Sequence, residues 1–204
     1  MAFFTRRDPA AWAMRPETQR EAIVASLLAW AWAVEARDPW TGGHLWRVAR
    51  YTELLAARAG MAPQERAQVA LAAFVHDLGK LAVPDAILRQ REPLSEAAHA
   101  VVRTHPEMGA RLLAGHPYGP LVHDIVLLHH ETPDGRGYPR GLSGPTIPTG
   151  ARIVGLCDAF DAMTTRRPWR EALSIDEALS AIEVQLGRQF DDFLGRHLLT
   201  LVRE

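Results

Sequence analysis

The chain has 204 residues, 48% hydrophobic and 23% charged, with a formal net charge of −1 and a pI near 6.8. That balance is ordinary for a globular protein, and the bulk charge suggests neither long nucleic acid nor an anionic membrane surface as a partner. The single cysteine, Cys157, excludes an internal disulfide and fits a reducing cytoplasm, and no apolar run is long enough to span a bilayer.

Residues 1 to 16 lack periodicity, and residues 1–19 are assigned to an N-terminal arm ahead of one domain over 20–204. A helix is expected from about Pro16-Glu17 to Arg37, with proline and acid in its first turn. Its apolar stretch, which includes Trp30 and Trp32, reads as a core helix or a homodimer contact in preference to a membrane-interface segment. A second helix over 44–59 carries Leu45, Val48, Tyr51, Thr52 and Leu55 at helical spacing and stops at Gly60. Pro63 opens a third, which runs through His76-Asp77 to a halt at Gly79. Beyond a loop with at most a short helical turn, helices are expected over 95–104, 106–114 and 119–131.

The stretch 132–149 has no periodicity and is punctuated by Pro133, Gly135, Gly137, Pro139 and Gly141. A structureless loop of that length inside a compact helical domain is more often functional than not. A buried helix over 151–165 follows. A Ser174-x-x-Glu177 capping box then opens another helix, and a last one covers 192–202. No period-2 strand pair is visible, so the fold class is all-α, a helical bundle.

Chemistry concentrates at the ends and buried faces of these helices. His76-Asp77 closes an apolar face, and an aspartate there is hard to bury unless it is paired or bound to a metal. His44, His105, His129, His130 and Asp158 occupy comparable positions. Imidazole and carboxylate donors without a thiolate suit a first-row transition metal: iron, manganese, cobalt, nickel or zinc. Seven donors exceed what one ion with an open water position takes, and they suit two ions sharing a carboxylate. Adjacent residues of a regular helix point about 100° apart, so His129 and His130 can serve one ion only if their helix frays or tightens there.

The order H…HD…H…HH…D resembles the HD superfamily of metal-dependent phosphohydrolases. "HHETPDGRGYPRGLSGPTIPTGARI" (129–153) resembles its HD-GYP branch, and so do "DPWTGGHLWRVA" (38–49), "HDLGKLAVPDAIL" (76–88), "HPEMGARLL" (105–113) and "CDAFDAMTTRRPWR" (157–170). The resemblance spans roughly residues 20 to 200. It implies a helical bundle that hydrolyses cyclic di-GMP to pGpG or GMP, using a hydroxide held between two metal ions, iron or manganese first. One ion would take His44, His76, Asp77 and Asp158, and the other His105, His129 and His130, with Asp77 bridging.

By the same resemblance, Lys80 would contact a scissile phosphate oxygen and Asp161 would hydrogen-bond near the bridging water. Arg167 and Arg170 would clamp phosphate or guanine. The loop with Gly137, Tyr138 and Pro139 would wall the substrate cleft or receive a regulatory protein. Trp40 stands where some members with three metals carry a glutamate, which favours two ions. The alternatives are a phosphohydrolase of another cyclic dinucleotide or nucleotide, and a nucleotide-binding regulatory module.

Overall fold

A computed structural model describes residues 14–37, 42–167 and 170–204. Most of the expected N-terminal arm, and Trp40, lie outside the described residues. Ten α-helices, no strand and two isolated β-bridges are found among the described residues, so the all-α expectation holds. The helices are α1 Glu17–Glu35, α2 His44–Arg58, α3 Pro63–Val75, α4 Asp85–Leu88 and α5 Glu96–Val102, then α6 His105–Leu113, α7 Gly119–Leu128, α8 Thr149–Thr164, α9 Ile175–Val184 and α10 Asp192–Arg203. A 3₁₀ turn, Leu78–Ala82, links α3 to α4.

Among the described residues a small apolar cluster of Leu128, Ile147 and Ala151 lies beneath the 132–149 loop, and two large apolar cores hold the bundle. In one, Val48 and Leu55 of α2 and Val69 of α3 pack with Ile153, Leu156 and Phe160 of α8, with α9 and α10 closing it. In the other, Leu27, Ala31 and Val34 of α1 pack with Leu45, Phe74, Leu113, Val122 and Val126. Leu55 is fully buried, and a leucine so placed stabilises by about 2 kcal/mol. Helices α2 and α3 contribute to both cores, so their ends are held from two sides.

Three helix limits differ from the sequence expectation in a way that builds the site. Helix α3 stops at Val75, where His76 and Asp77 pass into the 3₁₀ turn. Helix α7 stops at Leu128, so both His129 and His130 lie beyond it, and α6 begins at His105 itself. Two glycines explain the tight fit. A Cβ at Gly79 would fall 1.8 Å from the His105 carbonyl oxygen, and one at Gly155 would fall 2.3 Å from the His129 carbonyl oxygen. Backbone therefore meets backbone where the 3₁₀ turn touches α6 and where α8 passes under His129.

Candidate metal centre

Helices leave their last carbonyls without intrahelical partners, and here those carbonyls orient imidazoles. His76 donates from Nδ1 to Ala73 O at 2.6 Å, His105 to Val102 O at 2.8 Å, and His129 to Val126 O at 2.7 Å. Each histidine lies three residues beyond its acceptor, at or near the end of α3, α5 or α7. A carbonyl only accepts, so the proton sits on Nδ1 and Nε2 faces inward with a bare lone pair. His44, the first residue of α2, uses a carboxylate instead: its Nδ1 lies 2.7 Å from Asp161 Oδ2.

The inward nitrogens fall into two groups able to hold a metal ion, His44 with His76 and Asp77, and His105 with His129 and His130. Asp77 stands between them. Its Oδ2 is 3.8 Å from His44 Nε2 and 3.5 Å from His76 Nε2, while Oδ1 is 3.4 Å from His105 Nε2. Asp158 joins the first group, with Oδ1 3.5 Å from His44 Nε2 and 3.8 Å from His76 Nε2. All seven donors expected from the sequence are thus brought together.

The donors fit a cation for a reason independent of any family. His105 Nε2 and His129 Nε2 lie 3.2 Å apart, and both lack a proton because Nδ1 carries it. Burial keeps these rings neutral, pushing His105 down to about 3 and His129 well below its usual range. Two lone pairs face each other with nothing between them to share. The buried His76 Nε2 likewise has no hydrogen-bond partner. Each is a buried polar group that a metal ion would satisfy.

Burial pushes the Asp77 carboxyl up, but the neighbouring positive charge, Lys80 foremost, more than reverses this and holds it well below the carboxylate range. Lys80 Nζ donates to Asp77 Oδ2 at 2.6 Å. Burial pushes His44 down, yet its hydrogen bond to Asp161 and the charges of Asp158 and Asp77 leave it raised.

A cavity of about 270 Å³ adjoins the donors, and His129, His130 and Asp158 line it. Gly137 and Tyr138 of the loop form part of its wall, with the Tyr138 ring stacked on His130 at 4.8 Å between centroids. The Tyr138-Pro139 peptide is cis, and Pro139 is not part of the lining.

Two expectations land elsewhere. Asp161, expected beside a bridging water, is fully engaged behind His44: it accepts from His44 Nδ1, from Arg47 Nε at 2.6 Å and from Arg47 Nη2 at 3.1 Å. Arg167 and Arg170, expected at the substrate, pair through an isolated backbone bridge beyond α8 and do not line the cavity. The Arg170 guanidinium donates to the Ala162 carbonyl instead.

Three structural roles went unread in the sequence. Glu131 is buried, and its carboxylate accepts from Arg140 N at 2.6 Å and Leu142 N at 2.9 Å, pinning the glycine-rich loop beside the two histidines. Arg37 donates to Leu81 O and Val83 O, each at 2.8 Å, and so fastens the 3₁₀ turn that carries Lys80. Arg47 holds Asp161. For Glu131 a signal existed, since a loop with no ladder needs acceptors for its amides and the neighbouring acid was the nearest supply.

An HD domain model matches residues 30–194. The chain belongs to the HD domain family. Its Gly137-Tyr138-Pro139 motif and its relatives agree with the HD-GYP branch. It is 40% identical over 183 residues to the cyclic di-GMP phosphodiesterase response regulator RpfG of Xanthomonas campestris, covering 87% of this chain and 47% of that one. It is 39% identical over 159 residues to the 3′3′-cGAMP-specific phosphodiesterase 3 of Vibrio cholerae, covering 78% of this chain and 34% of that one. The chain therefore spans about half, or about a third, of the length of these relatives. Bd1817, an HD-GYP protein of Bdellovibrio bacteriovorus, shares the fold, with a TM-score of 0.65 at 23% identity over 79% of this chain and 52% of that one.

Proposed function

We propose that this HD domain is a metal-dependent phosphodiesterase that hydrolyses cyclic di-GMP to pGpG, GMP or both. The observation that carries the reading is the pair of donor groups that meet at Asp77, with the proton-free Nε2 atoms of His76, His105 and His129 turned inward. The substrate comes from the relative named for cyclic di-GMP. Two divalent ions, iron or manganese first and zinc, cobalt or nickel as alternatives, would lower the pKa of a water and neutralise charge on a phosphoryl group.

The chain's own residues divide the remaining work. His44, His76, Asp77 and Asp158 would hold one ion, and His105, His129 and His130, with the other oxygen of Asp77, the second. Lys80 supplies a cation at the edge of Asp77, suited to a scissile phosphate oxygen. Asp161 acts through His44, fixing its tautomer and direction. Gly137 and Tyr138 shape the cleft wall, and Pro139 holds the loop beside it.

No helix among the described residues is long and apolar enough to cross a membrane. We assign the domain to the cytoplasm because its single cysteine, Cys157, suits a reducing compartment. The exposed Trp30 and Trp32 of α1 are the proposed homodimer contact, and the outer surface of the 132–149 loop the proposed seat of a regulatory protein. A second reading, 3′3′-cGAMP as substrate, is favoured by the relative that is specific for it. The deciding experiment is anaerobic purification with metal analysis, followed by hydrolysis of cyclic di-GMP, 3′3′-cGAMP and cyclic di-AMP with product identification. Two ions per chain and preferred turnover of cyclic di-GMP are expected. Preferred turnover of 3′3′-cGAMP would install the second reading, and no turnover of any would overturn both.

A further inference from the structure

A cyclic dinucleotide carries two phosphodiesters and two negative charges. If one sits at the metal donors, the other must find a cation within the span of the same ring. The cavity beside the donors, about 270 Å³, lies at or below the ~300–1,000 Å³ usual for small-molecule sites. It suits one half of such a ligand and leaves the other half at its mouth.

Three arginines line that cavity, and they are not equivalent. Arg152 is committed to structure: it pairs with Asp191 and donates to Ile147 O and Thr149 Oγ1. Arg136 is 82% exposed and lies 3.8 Å from the Asp134 carboxylate. Arg103 differs from both. Its guanidinium carbon lies over the Tyr138 ring, 4.9 Å from the centroid, and among the described residues it has no hydrogen-bonded or ion-paired acceptor. The same Tyr138 ring stacks on His130, so Arg103 is one ring removed from a metal donor.

We propose that Arg103 is a substrate-binding residue that clamps the phosphodiester not being cleaved. A guanidinium offers a planar fork that matches two phosphate oxygens, and the Tyr138 face holds it ready without occupying its N–H groups. Such a contact is blind to the base, because a phosphate carries no sequence information. It also answers what Arg167 and Arg170, both outside the cavity lining, leave open.

The inference rests on the proposed cyclic dinucleotide reading, and its test separates the two. Steady-state kinetics of the metal-loaded protein would be measured for wild type, Arg103→Met and Arg103→Lys on cyclic di-GMP, on cyclic di-AMP and on bis(p-nitrophenyl) phosphate, which has one phosphodiester. For Arg103→Met, KM for the cyclic dinucleotides should rise about 10- to 100-fold, with kcat within about 3-fold, as for loss of a charge-assisted pair. Turnover of bis(p-nitrophenyl) phosphate should be unchanged, and Arg103→Lys should recover part of the lost affinity. Unchanged KM for cyclic di-GMP in Arg103→Met overturns the role of Arg103 alone. A rise confined to cyclic di-GMP overturns it too, since Arg103 would then be reading guanine. Wild-type protein that cleaves only bis(p-nitrophenyl) phosphate overturns the substrate reading, and the clamp with it. Arg103 is exposed, so the variants should fold, and an unchanged thermal midpoint would exclude a merely structural effect.

Discussion

The two donor groups differ in charge far more than in architecture. One combines His44 and His76 with two carboxylates, Asp77 and Asp158. The other has three imidazoles, His105, His129 and His130, and only the remaining oxygen of Asp77. Neighbouring carboxylates raise His44, whereas burial pushes His105 to about 3 and His130 to about 4. The carboxylate-rich group can balance a divalent charge locally and suits a harder cation. The imidazole group shares Asp77 with the other group and feels Asp158 only through His130, so its ion should be the more readily lost.

Removing Asp77 should therefore do the most damage, because it takes a donor from both groups. Asp77→Ala should lower turnover by about 10³-fold or more and reduce metal content below one ion per chain, read by metal analysis beside kinetics. Near wild-type turnover in this variant would remove the two-group mechanism altogether. Single-group variants sharpen the contrast. Asp158→Asn should weaken the tighter ion and leave the looser one, and His130→Gln should do the reverse, in metal titrations that resolve two affinities. Loss of the same ion from both variants would mean that the groups are not independent sites.

The sequence made the donors legible because each lies in a motif whose spacing survives without knowledge of packing. It also located the helices to within a few residues, since Leu45, Val48, Thr52 and Leu55 repeat at the period of a buried face. The ends of α3 and α7 were less legible. Those helices stop early where the imidazoles must leave the helical path and where Gly79 and Gly155 let neighbouring backbones press in, both of them tertiary events. The cavity arginines were illegible for the same reason. Arg103 and Arg152 come from segments far apart in the chain, and only the packing of α5, α8 and the loop brings them to one wall.

Acid should separate the groups further in protein stripped of metal by a chelator. For His105, His129 and His130 the folded state holds the rings neutral to far below the unfolded value near 6.5, so the unfolded state binds more protons as pH falls. Stability is fully present above about pH 6.5 and is lost toward pH 4, at up to ~1.4 kcal/mol per pH unit for each ring. His44 has the opposite sign: its raised folded value contributes stability below the unfolded pKa, lost as pH rises through the folded one. Denaturant midpoints of the stripped protein should thus fall from pH 7 to pH 5, and His130→Gln should flatten the slope. A midpoint independent of pH over that range would contradict the neutral-imidazole assignment.

The smallest expected effect tests the support beneath the carboxylate-rich group. Asp161 touches no inward-facing nitrogen, yet it fixes His44 through Nδ1 and is itself held by both Arg47 contacts. In Asp161→Asn the amide keeps the shape but loses the charge and one of the two acceptor oxygens, so the His44 tautomer is no longer enforced. Affinity of the ion at the carboxylate-rich group should fall about 10- to 100-fold, the range typical when a hydrogen-bond partner behind a metal-bound histidine is removed. The imidazole group orients His105 and His129 through the carbonyls of Val102 and Val126 and stacks His130 on Tyr138, none of which the substitution touches, so its ion should be unaffected. A loss shared equally by both ions would place Asp161 in the stability of the whole bundle, whereas a loss confined to one would show that each group carries its own orienting support.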